Sequence, residues 1–178
     1  MPRLTLHPDS HCPPVTGIEV EAARPHPGLL ALRYVLRGAT GELSLPPPAA
    51  PVRADELWRH SCFEAFVQTT ADDSYYEFNL APSTAWAAYR FDGYRQGMRP
   101  ADFAAPRIEV RRESDRFELH ALLDLGPLEG AAWRIGLSAV IEDTAGDVSY
   151  WALAHPPGRA DFHHADCFAL ELPETARP

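Results

Sequence analysis

The sequence predicts an all-β protein: a jelly-roll-like antiparallel β-sandwich, in a single domain over residues 1–178. Three observations carry this expectation. Short runs alternate apolar and polar residues, as half-buried strands do. Gly, Pro, Asp and Ser turn signals separate those runs at short intervals. No long amphipathic helix, internal repeat or low-complexity tract breaks the pattern. With 178 residues and 46% hydrophobic content, the chain is long and apolar enough to enclose a full core.

Taken in order, Arg3 to His7 reads as a short first strand, followed by a proline-bearing loop through Pro14. Val15 to Ala23 alternates, and Leu29 to Arg37 is a stronger run of the same kind. Gly38-Ala39-Thr40-Gly41 makes a turn into Glu42 to Leu45, and the proline-rich segment from Pro46 to Pro51 is expected as an extended surface loop. Asp55-Glu56-Leu57-Trp58 forms a helical turn ahead of the central strands. Ala85 to Phe91 carries both a cap-like Ser83-Thr84 and helix-favouring alanines, yet reads better as a strand ending at the Asp92-Gly93 turn. Further strands are expected at Arg107 to Arg112, Arg116 to Leu123, Trp133 to Glu142, Val148 to Leu153 and Asp166 to Leu172.

The formal charge of −9 argues against nucleic acid and anionic membrane as partners, both of which call for a basic face. All 16 basic residues are arginine, a bias of composition. No apolar run approaches the roughly 20 residues of a membrane span, and the proline-broken start MPRLTLHPDSHCPP lacks the apolar core of a secretory signal. The cysteines Cys12, Cys62 and Cys167 are few, odd in number and widely spaced. Reduced thiols and a cytoplasmic location are therefore expected.

The stretch from Leu57 to Tyr94 organises the chain. From Cys62 to Gln68, the residues Phe63, Ala65 and Val67 fall on one side, and Cys62, Glu64, Phe66 and Gln68 on the other. From Tyr75 to Leu80, Tyr76, Phe78 and Leu80 form the apolar side, with Tyr75, Glu77 and Asn79 opposite. The Thr70 to Ser74 link holds Asp72 and Asp73 and is short enough for a hairpin. Pairing the two strands would gather Glu64, Gln68, Tyr75, Glu77 and Asn79 on one face, away from the core. Carboxylates, an amide and an aromatic ring together suit a cleft for a polar ligand.

The same stretch resembles the superfamily that unites DOMON-like domains and family 9 carbohydrate-binding modules. Trp58, Cys62 and Glu64 in LWRHSCFEAFV and the YYEFNLAP run from Tyr75 to Pro82 carry the resemblance. The tail WALAHPPGRADFHHADCFALEL, Trp151 to Leu172, is similar to that of a bacterial branch of DOMON-like proteins. The resemblance implies a β-sandwich holding a ligand on its concave sheet or at one end. It implies that Trp58 stacks on a sugar ring, that Glu64 accepts hydroxyl hydrogen bonds, and that Trp151 closes over the sugar from the other side. At His60 and Ser61 the chain departs from such relatives, which often carry acidic residues there.

The expected function is non-catalytic binding of a small polar ligand, most plausibly a saccharide or a sugar-containing metabolite, through Trp58, Glu64, Glu77, Asn79, Arg95 and Trp151. An indole suits the C–H face of a pyranose while polar groups take the hydroxyls at its rim. Each residue also has a plain structural role open to it: Trp58 as core, and the Glu64, Glu77 and Asn79 trio as a solvated face paired with Arg90 or Arg95. Trp151 follows Tyr150 on a strand, so one of the two packs inward while the other is available. Trp86 and Trp133 are expected in the core. Arg90, Arg95 and Arg159 could hold a carboxylate or phosphate of a ligand.

Two other classes stand beside this one. A glycoside-acting enzyme would need two carboxyls about 5 to 9 Å apart, for which Glu64 and Glu77 are the candidates, and a histidine such as His155 would assist. Some DOMON domains bind haem through methionine and histidine, which here would be Met98 with His60 or His155. His155, Asp161 and His163 are lesser candidates for a metal ion, without a recognised ligand spacing. No cofactor is expected otherwise.

Overall fold

The computed structural model describes residues 1–69 and 72–174. Twelve strands run through them: β1 Arg3–Leu6, β2 Val15–Ala23, β3 Leu29–Gly38, β4 Cys62–Thr69, β5 Tyr75–Leu80, β6 Trp86–Phe91, β7 Arg99–Pro100, β8 Arg107–Arg112, β9 Arg116–Asp124, β10 Trp133–Glu142, β11 Val148–Ala152 and β12 Leu170–Leu172. The strand pairs are antiparallel, and the helical segments among the described residues are short 3-10 turns. Among the described residues, no helix is long and apolar enough to cross a membrane.

The strands follow one hydrogen-bonded path, β7-β6-β5-β4-β10-β11-β1-β2-β3-β9-β8, with β12 beside β10. β1 pairs β11 on one side and β2 on the other, so the path turns there from one layer of a sandwich into the next. The alternation of β2, β3 and β9 supplies Ile18, Val20, Tyr34 and Leu119 to one inner face. Phe63, Ala65, Phe78, Ile135 and Leu137 supply the other. Phe63 stacks on Phe117 with ring centroids 5.5 Å apart, and the fully buried Tyr34 donates its hydroxyl to the backbone oxygen of Glu64 at 2.7 Å. Each layer is thereby fixed against the other beneath the residue of greatest functional interest.

The strands expected from alternation are present, several with the same ends, and Leu57–Arg59 forms the 3-10 turn ahead of β4. Ala85 to Phe91 resolves as strand β6, from Trp86. Three points differ. Asp166 to Leu172 is not one strand: Ala165–Cys167 is a 3-10 turn and only Leu170–Leu172 pairs, with Trp133–Ile135 of β10. The two-residue β7 was not foreseen. The turn after β6 centres on Tyr94-Arg95, bridged by Gly93 and Gln96, rather than on Asp92-Gly93. Of the link between β4 and β5, Thr70 lies outside the described residues, while the Asp72 carboxylate accepts the Ser74 amide at 2.9 Å.

Outside the sandwich interior, the other face of the β4–β5–β6–β10–β11 sheet carries a second, smaller apolar cluster that includes Phe66, Tyr75, Tyr89, Phe91 and Val140. The segment after β11 folds back over it and contributes Phe162 and Phe168. This segment is tied down at its start and middle. His155 Nε2 lies 2.8 Å from the Thr5 oxygen, His7 Nε2 3.0 Å from that of Gly158, and the Cys167 thiol donates to the oxygens of Ala154 and Asp161 at 3.2 Å. The polar face expected from the sequence exists, therefore, but it is covered.

Candidate functional site

Between that sheet face and the covering segment lies a cavity of about 330 Å³, at the lower end of the range of small-molecule sites. Its floor is Glu64 of β4, Glu77 of β5, Phe91 of β6, Val140 of β10 and Tyr150 of β11. Ala160, Phe162 and His163 form its roof, Trp58 one lip, and Arg95 and Met98 another. Trp58 is half-buried and meets Tyr89 edge-on at 5.7 Å, while Tyr150 and Met98 are open to solvent at 38% and 48%. The 3-10 turn positions the indole: Glu56 enters it with φ of 59°, a left-handed conformation that swings Trp58 out beside β4.

Strand register assembles the polar floor. Glu64 pairs with Asn79 and Phe66 with Glu77, so the two glutamates are diagonal neighbours on one face. All three polar residues are buried, Glu64 to 2% exposure, Glu77 to 4% and Asn79 to 0%. Asn79 Nδ2 donates to Glu77 Oε1 at 2.8 Å, and its Oδ1 accepts the Cys62 thiol at 3.6 Å, which fixes the amide's orientation. Ser138 Oγ, from β10, donates to Glu64 Oε2 at 3.3 Å. Glu64 Oε1 is buried with no hydrogen-bond partner among the described residues. A buried carboxyl oxygen without a donor is costly to keep, and Glu64 is among the residues that line the cavity.

The roof and lip are joined by a second network. The Arg95 backbone N–H donates to the Tyr75 hydroxyl at 3.2 Å, and that hydroxyl lies 2.8 Å from His163 Nδ1. With the Tyr75 proton given to Nδ1, the His163 ring proton sits on Nε2. Nε2 then points toward Glu77 Oε2 at 3.7 Å, beyond direct hydrogen-bond reach and suited to a bridging hydroxyl. Arg95 itself, at φ of 53°, holds Asp161 Oδ1 through Nη2 at 2.7 Å and Nε at 3.2 Å, and Tyr94 donates to the other Asp161 oxygen.

Burial sets the protonation states. Desolvation first, then repulsion from Glu77, raises the Glu64 pKa well above the ordinary carboxyl range, against the lowering effect of Ser138. Glu77 rises to about 7 through burial, opposed by the Asn79 hydrogen bond and by Arg95. Burial and the Arg95 charge lower His163 to about 4, so it is neutral near pH 7. The site thus offers one acid that retains its proton, one poised to titrate, a neutral imidazole donor and an aromatic lip.

Of the residues expected from sequence, Trp58, Glu64, Glu77 and Arg95 meet at this cavity. Asn79 lies behind it and orients Glu77. Trp151 does not reach it. The β10–β11 register pairs Trp151 with Ala139 on the core face, where the indole is 6% exposed and donates to Ser149 Oγ at 3.0 Å. Its neighbour Tyr150, paired with Val140, takes the outward place. Trp86 and Trp133 are core, and Arg90 lies over the Tyr76 ring and against Asp92.

The lesser metal candidates do not converge. His155 is engaged with Thr5, Asp161 with Arg95, and His163 with Tyr75; among the described residues, no group of three His, Cys, Asp or Glu is placed to hold a metal ion. Met98 lines the cavity, but His60 faces Glu142 at 2.8 Å elsewhere and His155 is bonded to β1, so neither histidine shares a site with it. Sequence reasoning missed Tyr150, Phe162 and the Tyr75–His163 link. Phe66, an aromatic midway along the polar side of β4, was the signal that this face is covered.

Neither a protein-family model nor a curated protein matches the chain. Two solved structures are similar in fold. One is a candidate carbohydrate-binding protein from Bacteroides uniformis ATCC 8492, with a TM-score of 0.57 at 15% identity over 85% of this chain and 75% of that one. The other is a family 9 carbohydrate-binding module from Caldicellulosiruptor kristjanssonii in complex with glucose, with a TM-score of 0.53 at 11% identity over 91% of this chain and 78% of that one. They bear on the family 9 side of the expected resemblance and not on its DOMON side. The chain has the β-sandwich fold of a family 9 carbohydrate-binding module.

Proposed function

We propose that this protein binds a small saccharide, or a metabolite that contains one, in the cavity between the β4–β5 face and the segment after β11. The observation that carries the reading is the pairing of a half-buried indole lip with buried carboxyls that line the cavity, one of which has an oxygen without a partner among the described residues. A sugar ring has what this surface lacks: an apolar face for Trp58 and hydroxyls for Glu64 Oε1 and the gap between His163 Nε2 and Glu77. A volume near 330 Å³ is room for about ten waters, the scale of one ring rather than of a chain. Both structures of similar fold are described in terms of carbohydrate, and glucose occupies one of them.

Calorimetric titration of a panel of mono- and disaccharides tests the reading. At least one member binds, and Trp58→Ala weakens it by about tenfold or more, as loss of an aromatic platform should. A panel without binding, or an affinity indifferent to Trp58, overturns it.

A further inference from the structure

We infer that the sugar this cavity takes carries a protonated primary amine, and so belongs to the hexosamine class rather than to the neutral hexoses. The inference rests on the saccharide reading and adds a charge to it. The charged and titratable groups around the cavity are Glu64 and Glu77 from the sheet, Arg95 and Tyr94 from the β6–β7 turn, Tyr75 and Tyr150, and Asp161 and His163 from the covering segment. Arg95 is already paired with Asp161 through two contacts, and burial and the Arg95 charge keep His163 neutral. Among the described residues, what is left lining the cavity is two acids with no arginine in direct contact with either.

A neutral hydroxyl could satisfy one carboxyl oxygen but would leave both acids held toward their protonated forms by burial and by each other. An ammonium group supplies three donors and a charge, so both glutamates can ionise around it. Its N–H groups are directed at the two carboxyls that line the cavity, Glu64, whose Oε1 has no partner among the described residues, and Glu77, whose Oε2 stands 3.7 Å from His163 Nε2. The aromatic rings of Trp58, Phe91 and Phe162 favour a cation over a neutral group in the same place. The chain's charge of −9 draws such a ligand in from solution.

The test is calorimetric titration of the intact protein with D-glucosamine, D-glucose and N-acetyl-D-glucosamine, below the pKa of the amine and in buffers of differing ionisation enthalpy. Glucosamine is expected to bind about tenfold or more tighter than the other two. It should also displace protons from the glutamates where glucose displaces none. In Glu64→Gln and in Glu77→Gln, two near-isosteric variants with independent risks of misfolding, the glucosamine-to-glucose affinity ratio falls toward one. Glucose binding as tightly as glucosamine, or a ratio unchanged in both variants, overturns the amine while leaving the saccharide reading intact. Cyclohexylammonium binding as tightly as glucosamine overturns the sugar, and absence of binding by all the sugars overturns both.

Discussion

The Tyr75 hydroxyl stands 2.8 Å from His163 Nδ1, and this contact joins the sheet to the segment that covers it. Tyr75 also stacks on Phe91 at 4.8 Å and accepts the Arg95 amide, so one side chain couples floor, roof and lip. Tyr75→Phe removes the proton that defines the His163 tautomer while keeping the stacked ring. We expect long-range proton–nitrogen NMR spectra to show His163 protonated at Nε2 in the parent protein and mixed tautomers in the variant. Chemical denaturation should show a loss of about 1–2 kcal/mol, the cost of stranding partly buried hydrogen-bonding groups. A parent spectrum with the proton on Nδ1 contradicts the network.

Glu77 and His163 make opposite contributions to stability as pH changes. Glu77 is raised from 4.5 to about 7, so its contribution is full below pH 4.5 and is lost as pH rises through 7. His163 is lowered from 6.5 to about 4, so its contribution is full above pH 6.5 and is lost as pH falls through 4. Over pH 4.5 to 6.5 the two offset, leaving the fall that Glu64 imposes as it is driven toward ionisation. Relative to the parent, Glu77→Gln should therefore lose less stability as pH rises and His163→Gln should lose more. Each difference is of the order of 3 kcal/mol across its window, measured by denaturant titration at a series of pH values. Parallel pH profiles for all three proteins contradict these assignments.

The covering segment passes close to β10 at Gly136, where an added Cβ would lie 3.1 Å from the Cys167 oxygen and 3.3 Å from Phe66 Cβ. Gly136→Val is expected to push that segment off the sheet. The sandwich interior lies on the opposite face of β10, so the variant should stay folded, with a lower melting temperature and saccharide binding weakened by about tenfold or more. Unchanged affinity in a folded Gly136→Val protein means that the covering segment forms no part of the site.

Alternation made most of the sandwich legible. The period-two pattern of Cys62 to Gln68 and Tyr75 to Leu80 identified the face on which Glu64 and Glu77 meet, and the register matches it. Alternation cannot say which of two adjacent aromatics faces inward when both are large. Tyr150 and Trp151 were decided by pairing with Val140 and Ala139 across β10, a relation between segments far apart until folded. The same applies to the span from His155 to Cys167. Its histidines and aspartates suggested metal chemistry, yet their partners are Thr5, Tyr75 and Arg95, which local pattern could not supply. Phe66 shows where a closer reading was available: an aromatic between Glu64 and Gln68, here 1% exposed, requires a cover.

The most direct measurement is a crystal structure of the protein with the monosaccharide that binds most tightly. The account predicts one ring in the cavity, its apolar face on Trp58 and a donor within about 3.2 Å of Glu64 Oε1. A sugar bound elsewhere on the molecule, or a cavity closed with Glu64 Oε1 paired to a protein group, contradicts it.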